Sequence, residues 1–117
     1  MVETQEISIG EYLHSEGLKY NVLGLARWRK KVQNSVEIIG IALAVAGYEE
    51  THEVTGEPIQ VYRGKDDRLF FVKVGNFKTP QKVVVYRQME KGALYPEGQL
   101  WWRPRKNFLK HFIRLEK

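Results

Sequence analysis

Hydrophobic and polar positions alternate over several short stretches of this chain. The clearest stretch is residues 58–63, where Ile59 and Val61 fall on one side and Gln60 and Tyr62 on the other. A period of two is typical of a β-strand with one buried face. Three further stretches of similar composition are predicted to be strands: residues 20–28, 68–74 and 82–89.

Turn-forming residues separate the predicted strands. They occur as Thr-Gly-Glu-Pro at 55–58, Gly-Lys-Asp-Asp at 64–67, Gly-Asn at 75–76, Thr-Pro at 79–80 and Tyr-Pro-Glu-Gly at 95–98. Short strands joined by Gly, Pro and Asp turns are typical of small barrels and strongly bent sheets. We therefore expect a mainly β fold, a small bent-sheet or SH3-like barrel, in one domain that covers residues 1–117.

Two segments follow other patterns. Residues 36–48 are apolar on every face, which fits either a strand buried on both sides or a short core helix. Gly40 and the β-branched residues favour the strand. In the tail, Pro104 suits the first turn of a helix, and Phe108 and Phe112 then fall near one face. The pattern predicts a short C-terminal helix that closes the barrel.

Parts of the sequence echo one another. Residues 59–63 (Ile-Gln-Val-Tyr-Arg) resemble residues 83–87 (Val-Val-Val-Tyr-Arg), and residues 22–26 resemble residues 38–42. Two matched pairs indicate two copies of one β-unit. The copies would cover about residues 12–77 and 78–112. Convergent strand composition would produce the same echo.

Charge is the compositional feature that bears on function. The 117 residues carry a formal net charge of +5 and no cysteine, which excludes disulfides and thiolate chemistry. The positive charge is concentrated in residues 27–31 and from Arg103 onward. Such clusters attract phosphates, although a solvated basic face would look the same. With no signal-peptide pattern and no long apolar run, a soluble cytoplasmic protein that does not contact membranes is expected.

Residues for catalysis or metal binding are poorly represented. Asp66 and Asp67 could form a carboxylate pair, but their setting favours a hairpin turn. His52 lies beside three glutamates, which are Glu49, Glu50 and Glu53. A solvated acidic turn explains that group better than a metal site. We expect no catalytic site, no metal and no cofactor, and an enzyme would require one of these groups in a cleft.

Two blocks of the sequence resemble a known family. The C-terminal block has Val84, Val85, Tyr86, Arg87, Gly98, Leu100, Trp101, Arg103, Pro104 and Phe108. The N-terminal block has Tyr12, His14, Gly17, Tyr20, Val22, Gly24 and Ala26. This pattern resembles DUF 1653, a family of small bacterial and phage domains of unknown function. A long middle segment separates the blocks, where the family has a simple hairpin. The resemblance implies a compact, mainly β domain about half this length, and it implies no catalytic residues.

The leading functional hypothesis combines aromatic and basic residues. In it, Trp28, Tyr95 and Trp102 stack on a base. Phosphates are neutralised by six basic residues, which are Arg27, Arg29, Lys30, Arg103, Arg105 and Lys106. Adjacent strand residues point to opposite faces, so we expect Trp101 in the core and Trp102 at the surface. Alternatively, both tryptophans are packing residues with arginines lying over them.

Two functions from different classes follow from these residues. The first is a non-catalytic module that binds an anionic partner, best exemplified by single-stranded nucleic acid or a nucleotide. The alternative is a protein–protein interaction module, such as a phage or host-interaction factor. It would associate with itself or with a partner through an exposed β edge or the Trp/Phe-rich tail.

Overall fold

A computed structural model describes residues 7–14, 17–31, 36–45, 54–92 and 95–115. The described residues form eight strands and one helix: β1 (Gly10–His14), β2 (Lys19–Trp28), β3 (Glu37–Val45), β4 (Val54–Arg63), β5 (Leu69–Lys73), β6 (Lys82–Gln88), β7 (Leu100–Pro104), α1 (Arg105–His111) and β8 (Phe112–Arg114). The mainly β class and the short C-terminal helix are confirmed. The apolar segment is a strand over Glu37–Val45, and residues 46–48 lie outside the described residues.

Six of the strands close into a barrel in the order β2–β5–β4–β3–β7–β6 and back to β2. Four of the joins are antiparallel, and the β2–β5 and β3–β7 joins are parallel. The barrel is closed by strand pairing between Ala26–Trp28 and Leu69–Phe71. The prediction that the C-terminal helix closes the barrel is therefore wrong. Instead, α1 packs outside, against β6 and β7. The finer expectation of an SH3-like barrel stays a prediction.

One edge of β2 is shared between two neighbours. Its first half pairs with β1 over residues 19–22, and its last three residues pair with β5. Residues 23–25 have no strand partner on this edge among the described residues. Because β1 and β5 diverge here, the sheet has a gap beside the middle of β2.

The barrel is built from two matched units. The first unit is β2, β6 and β7, and the second unit is β3, β4 and β5. In each unit the second strand pairs antiparallel with both the first strand and the third strand. The third strand of each unit runs parallel to the first strand of the other. Along the chain, all three strands of the second unit come between β2 and β6, the first and second strands of the first unit. The second unit is therefore inserted within the first. The expected consecutive halves, residues 12–77 and 78–112, do not match this division.

The strand registers of the two units agree residue by residue. Gly24 lies opposite Val85 in the first unit, as Gly40 lies opposite Val61 in the second. Both glycines follow a β-bulge. The echoes in the sequence therefore fall at matched structural positions. A duplication of one β-unit stays a prediction.

Substituting alanine for Gly24 or Gly40 is expected to lower the free energy of unfolding by about 1–3 kcal/mol in each case. Their φ angles are +144° and +147°, a conformation that side chains disfavour. An added Cβ would lie 3.3 Å from Leu69 Cδ1 or 3.0 Å from Leu100 Cδ1. Urea denaturation would measure both effects. Gly17→Ala is the control, because Gly17 has φ +98° but no atom within 4 Å of the added Cβ. Losses no larger than in this control would rule out the close approach as a cause.

Two hydrophobic cores lie on opposite sides of the sheet. The inner core fills the barrel, and the outer core lies between the sheet and α1. Alternate residues of β6 serve both, since Val83 and Val85 point inward and Val84 and Tyr86 outward. These four consecutive residues of β6 are therefore all buried.

This arrangement settles where the adjacent tryptophans lie. Trp101 is in the outer core and 4% exposed, so the prediction that it is a core residue is confirmed. Trp102 points into the barrel and is 3% exposed. The prediction that Trp102 lies at the surface is therefore wrong. The two side chains do point to opposite faces, as expected. Both faces are buried, because Trp102 points into the closed barrel and α1 and the edge strands cover the outer face that carries Trp101.

Candidate functional site

A groove of about 540 Å³ lies at the gap between β1 and β5. Its lining includes residues 23–25 of β2, and Ile7 and Ile9 from the segment before β1. Four basic residues line it with one acidic residue, Asp67. The basic residues are Arg27, Arg29, Arg68 and Lys82. We call this site the basic groove.

Two of the cations face each other across neighbouring strands. Arg27 of β2 lies opposite Lys82 of β6, and both side chains are exposed. Like charges directly opposite in an antiparallel pair destabilise a sheet. A bound anion between them would remove that repulsion. This pair therefore concentrates positive charge on one side of the basic groove.

The other two cations flank strands of the barrel: Arg29 directly follows β2, and Arg68 directly precedes β5. The Arg29 guanidinium lies 4.7 Å from the centre of the Phe70 ring. The backbone N–H of Arg29 donates to the Phe71 carbonyl at 2.9 Å, which holds this segment against β5. Arg68 pairs with Asp66 at 3.0 Å, with both side chains largely exposed. An exposed ion pair of this kind is weak, so Arg68 can exchange Asp66 for a ligand at small cost.

The Asp66–Asp67 segment is a hairpin turn, as predicted. The Gly64 N–H donates to the Arg68 carbonyl at 2.8 Å, and the Asp67 N–H donates to the Gly64 carbonyl at 3.2 Å. Asp67 has φ +62°, which fits a turn position. Asp66 is engaged with Arg68. These carboxylates therefore shape one end of the basic groove.

The predicted site residues from β2 fall in two places. Arg27 and Arg29 line the basic groove, and Lys30 follows them as an exposed residue. Trp28 lies on the other side of the strand and packs against the inner core. Lys73 Nζ lies 5.5 Å from the centre of its ring. Trp28 is thus half-buried and does not line the groove.

Trp102 is not available to stack on a ligand. Its indole N–H donates to the Glu57 carbonyl at 2.8 Å. The Phe77 ring is stacked near it at a centroid distance of 6.4 Å. Both contacts belong to the barrel interior. The assignment of Trp102 as a ligand-binding residue is therefore corrected to a core residue.

Arg103 is also internal, at 3% exposure. Its Nε donates to the Tyr86 hydroxyl oxygen at 2.7 Å, and Nη1 donates to Asn107 Oδ1 at 2.9 Å. Nη2 lies 3.4 Å from His14 Nε2, and the guanidinium lies 5.1 Å from the centre of the Phe112 ring. The predicted phosphate contact by Arg103 is wrong, because strand alternation points this residue under α1.

The hydroxyl that accepts from Arg103 stays neutral. Burial raises the pKa of Tyr86 well above its usual range, although the nearby Arg103 charge opposes the shift. A neutral phenol can accept a hydrogen bond from the guanidinium N–H and can still donate one through its own O–H. The Arg103 cluster is thus a structural network that ties β7 to β6 and to α1.

The remaining predicted site residues lie away from the groove. Tyr95 is half-buried, with its ring edge-on to Trp101 at 4.6 Å. Arg105 and Lys106 are in the first turn of α1, and neither lines the basic groove. The structure therefore does not unite the β2 residues with the C-terminal residues.

Sequence reasoning identified only Arg27 and Arg29 among the groove residues, and Arg68, Phe70 and Lys82 are among those that it missed. No local pattern marks them, because Lys82 becomes relevant only through its register with Arg27. Phe70 reaches the groove through the parallel β2–β5 join, where it lies opposite Arg27. Pairings between strands distant in sequence cannot be deduced from spacing.

Metal and membrane sites find no support among the described residues. No group of three or more His, Asp or Glu side chains in these segments could hold a metal ion. The candidate around His52 lies outside them. In the part of the chain that is described, no helix is long and apolar enough to cross a bilayer.

In comparisons with known proteins, no family model, no curated protein and no solved structure matches this chain. Function must therefore be argued from the geometry of the site.

Proposed function

We propose that this protein is a non-catalytic module that binds an anionic partner in the basic groove. Single-stranded nucleic acid or a nucleotide is the ligand that suits it best. The observation that carries the proposal is the cross-strand pair of Arg27 and Lys82, two cations held opposite each other. Arg29 and Arg68 add positive charge along the same groove.

The rest of the lining suits an unpaired strand. Phosphates would contact the four cations, while bases would lie on the apolar residues Leu23, Leu25 and Phe70. Aromatic and apolar surface beside a basic track is the usual design for binding single strands. The stacking role expected of Trp28, Tyr95 and Trp102 would pass to Phe70, whose ring already carries the Arg29 guanidinium.

Membership of the DUF 1653 family remains a proposal. The residues that carry the resemblance lie largely in the cores, as Tyr86, Trp101 and Phe108 illustrate. The resemblance would then concern folding and would not identify a binding site. A cytoplasmic location is likewise proposed, consistent with the lack of cysteine.

The experiment is fluorescence anisotropy of a short labelled single-stranded oligonucleotide, at low and then raised salt. Arg27→Ala combined with Lys82→Ala should weaken binding at least about tenfold and reduce the salt slope by about 1.4. The matched control is Lys106→Ala combined with Lys110→Ala. It removes the same charge from exposed positions on α1 that do not line the groove.

Two results would contradict this assignment. If the wild-type protein does not bind the oligonucleotide at low salt, the proposal of nucleic-acid binding fails. If both double variants weaken binding equally, the protein attracts the strand through its net charge and the groove has no special role.

The alternative, a protein-interaction module, cannot use the Trp/Phe-rich tail as first expected. Trp101, Trp102, Phe108 and Phe112 are all buried. Apolar side chains do remain exposed elsewhere, as Ile38 on the second unit (67% exposed) and Ile113 on β8 (72% exposed) illustrate.

A further inference from the structure

The outer faces of the two matched units differ in how they are covered. In the first unit, Val22 and Tyr86 lie opposite each other beneath α1 and the edge strands and are at most 1% exposed. The matched pair in the second unit is Ile38 opposite Tyr62. Ile38 is 67% exposed and Tyr62 is half-buried. No helix covers this face among the described residues.

A small pocket of about 70 Å³ lies on this uncovered face. Four of its lining residues are outward-facing or flank β3, namely Val36, Tyr62, Phe70 and Val72. The strand registers match them to Tyr20, Tyr86, Trp101 and Arg103 of the first unit. For example, Tyr62 lies opposite Phe70 just as Tyr86 lies opposite Trp101.

In the first unit the matching place is filled by aromatic rings of the chain itself. Phe108 and Phe112 lie 5.4 Å and 5.1 Å from the Tyr86 ring. Phe112 also lies 5.4 Å from the Tyr20 ring. The fold therefore contains an example of what this kind of surface accepts, which is a pair of phenylalanines, one on α1 and one at the start of β8.

Charge at the rim distinguishes the possible occupants. Arg29 and Lys31 line the pocket of the second unit, and both are exposed. The helix α1 of a second copy would bring Arg105, Lys106 and Lys110 towards them. Like charges at an interface oppose association, whereas carboxylates on the partner would favour it.

We propose that the pocket of the second unit binds an aromatic side chain from an acidic peptide segment of another protein. The ring would pack against Tyr62, Phe70 and Val72. This is the position that matches the place of Phe108 and Phe112 in the first unit. Acidic residues beside the ring would pair with Arg29 and Lys31. This site adjoins the basic groove at Arg29 and Phe70 but has its own lining at Tyr62, Val72 and Lys31.

The probe is a labelled synthetic peptide of residues 104–113 carrying Arg105→Glu, Lys106→Glu and Lys110→Glu. It keeps Phe108 of α1 and Phe112 of β8 and reverses the charge around them. Two further peptides serve as controls: the unmodified residues 104–113, and the acidic peptide with Phe108→Ala and Phe112→Ala. Fluorescence anisotropy with the full chain would measure all three. We expect the acidic aromatic peptide to bind at least about tenfold more tightly than either control, as is common for buried aromatic anchors.

Variants of the protein locate the binding. Tyr62→Ala should reduce affinity for the acidic peptide about tenfold. Lys31→Glu, at an exposed position that cannot disturb the core, should weaken the acidic peptide and strengthen the basic one. Arg27→Ala combined with Lys82→Ala, which alters only the basic groove, should leave peptide affinity unchanged.

The proposal is overturned by any of three results. Equal binding of the acidic and basic peptides would show that the pocket does not select for acidic residues beside the ring. Tighter binding of the basic peptide would identify the helix of a second copy as the occupant. Peptide binding that is insensitive to both Tyr62→Ala and Lys31→Glu would place the contact elsewhere.

Discussion

Replacing Trp102 by alanine is expected to lower the free energy of unfolding by about 3–5 kcal/mol. The side chain is 3% exposed and packs in the barrel interior with Val85 and Leu100. Its loss would leave a large cavity in a closed barrel whose paired strands cannot easily collapse into it. It would also leave the Glu57 carbonyl without the indole N–H that now donates to it at 2.8 Å.

Urea denaturation followed by circular dichroism would measure this loss. Trp102→Phe should fall between the wild type and Trp102→Ala, because it keeps a ring but removes the N–H. Leu109→Ala on α1 is the control, since Leu109 is 37% exposed and should cost little. If Trp102→Ala is as stable as this control but loses oligonucleotide affinity, then Trp102 is a ligand-binding residue and does not fill the barrel interior.

Replacing Arg103 by alanine is expected to lower the free energy of unfolding by about 2–4 kcal/mol. Two buried acceptors, the Tyr86 hydroxyl and Asn107 Oδ1, would lose the donors that lie 2.7 Å and 2.9 Å away. The stacking of the guanidinium against Phe112 at 5.1 Å would also be lost. Arg103→Lys should recover only part of the stability, because an ammonium lacks the planar fork that reaches both acceptors.

The same variants separate a structural role from a phosphate contact. Under conditions where Arg103→Lys remains folded, its oligonucleotide affinity should equal that of the wild type. Arg27→Ala provides the contrast, with weaker binding and little change in stability, because Arg27 is exposed. An Arg103→Lys protein that is fully stable but binds the oligonucleotide weakly would return Arg103 to the binding site.

Much of the fold could be predicted because its signals are local. The alternation of Ile59 and Val61 with Gln60 and Tyr62 was enough to place the second half of β4 and to orient its faces. The strand begins at Val54, so the prediction of a turn at residues 55–58 is wrong. The Gly64–Asp67 turn was recognisable from residue types whose backbone preferences do not depend on the rest of the molecule. The echo between residues 22–26 and 38–42 also pointed to the matched positions that the strand registers now reveal.

The site was less predictable because it depends on contacts between distant segments. Arg27 and Arg29 were identified from a basic run, and they do line a groove. Arg103 belonged to an equally basic run but lies in the outer core, since α1 folds back over it. Charge in a sequence shows that a residue is polar, but whether the residue meets solvent or a neighbouring hydroxyl depends on tertiary packing.

The amino-acid sequence alone determined that this protein is a mainly β chain with defined strands, turns and a short helix, because propensity and alternation act over a few residues. Only the tertiary structure decided which cations meet, since the Arg27–Lys82 pair arises from register between strands far apart in the chain. It also decided that, among the described residues, a helix covers the outer face of the first unit but not that of the second. That difference follows from where β1, α1 and β8 pack, and no local pattern encodes it.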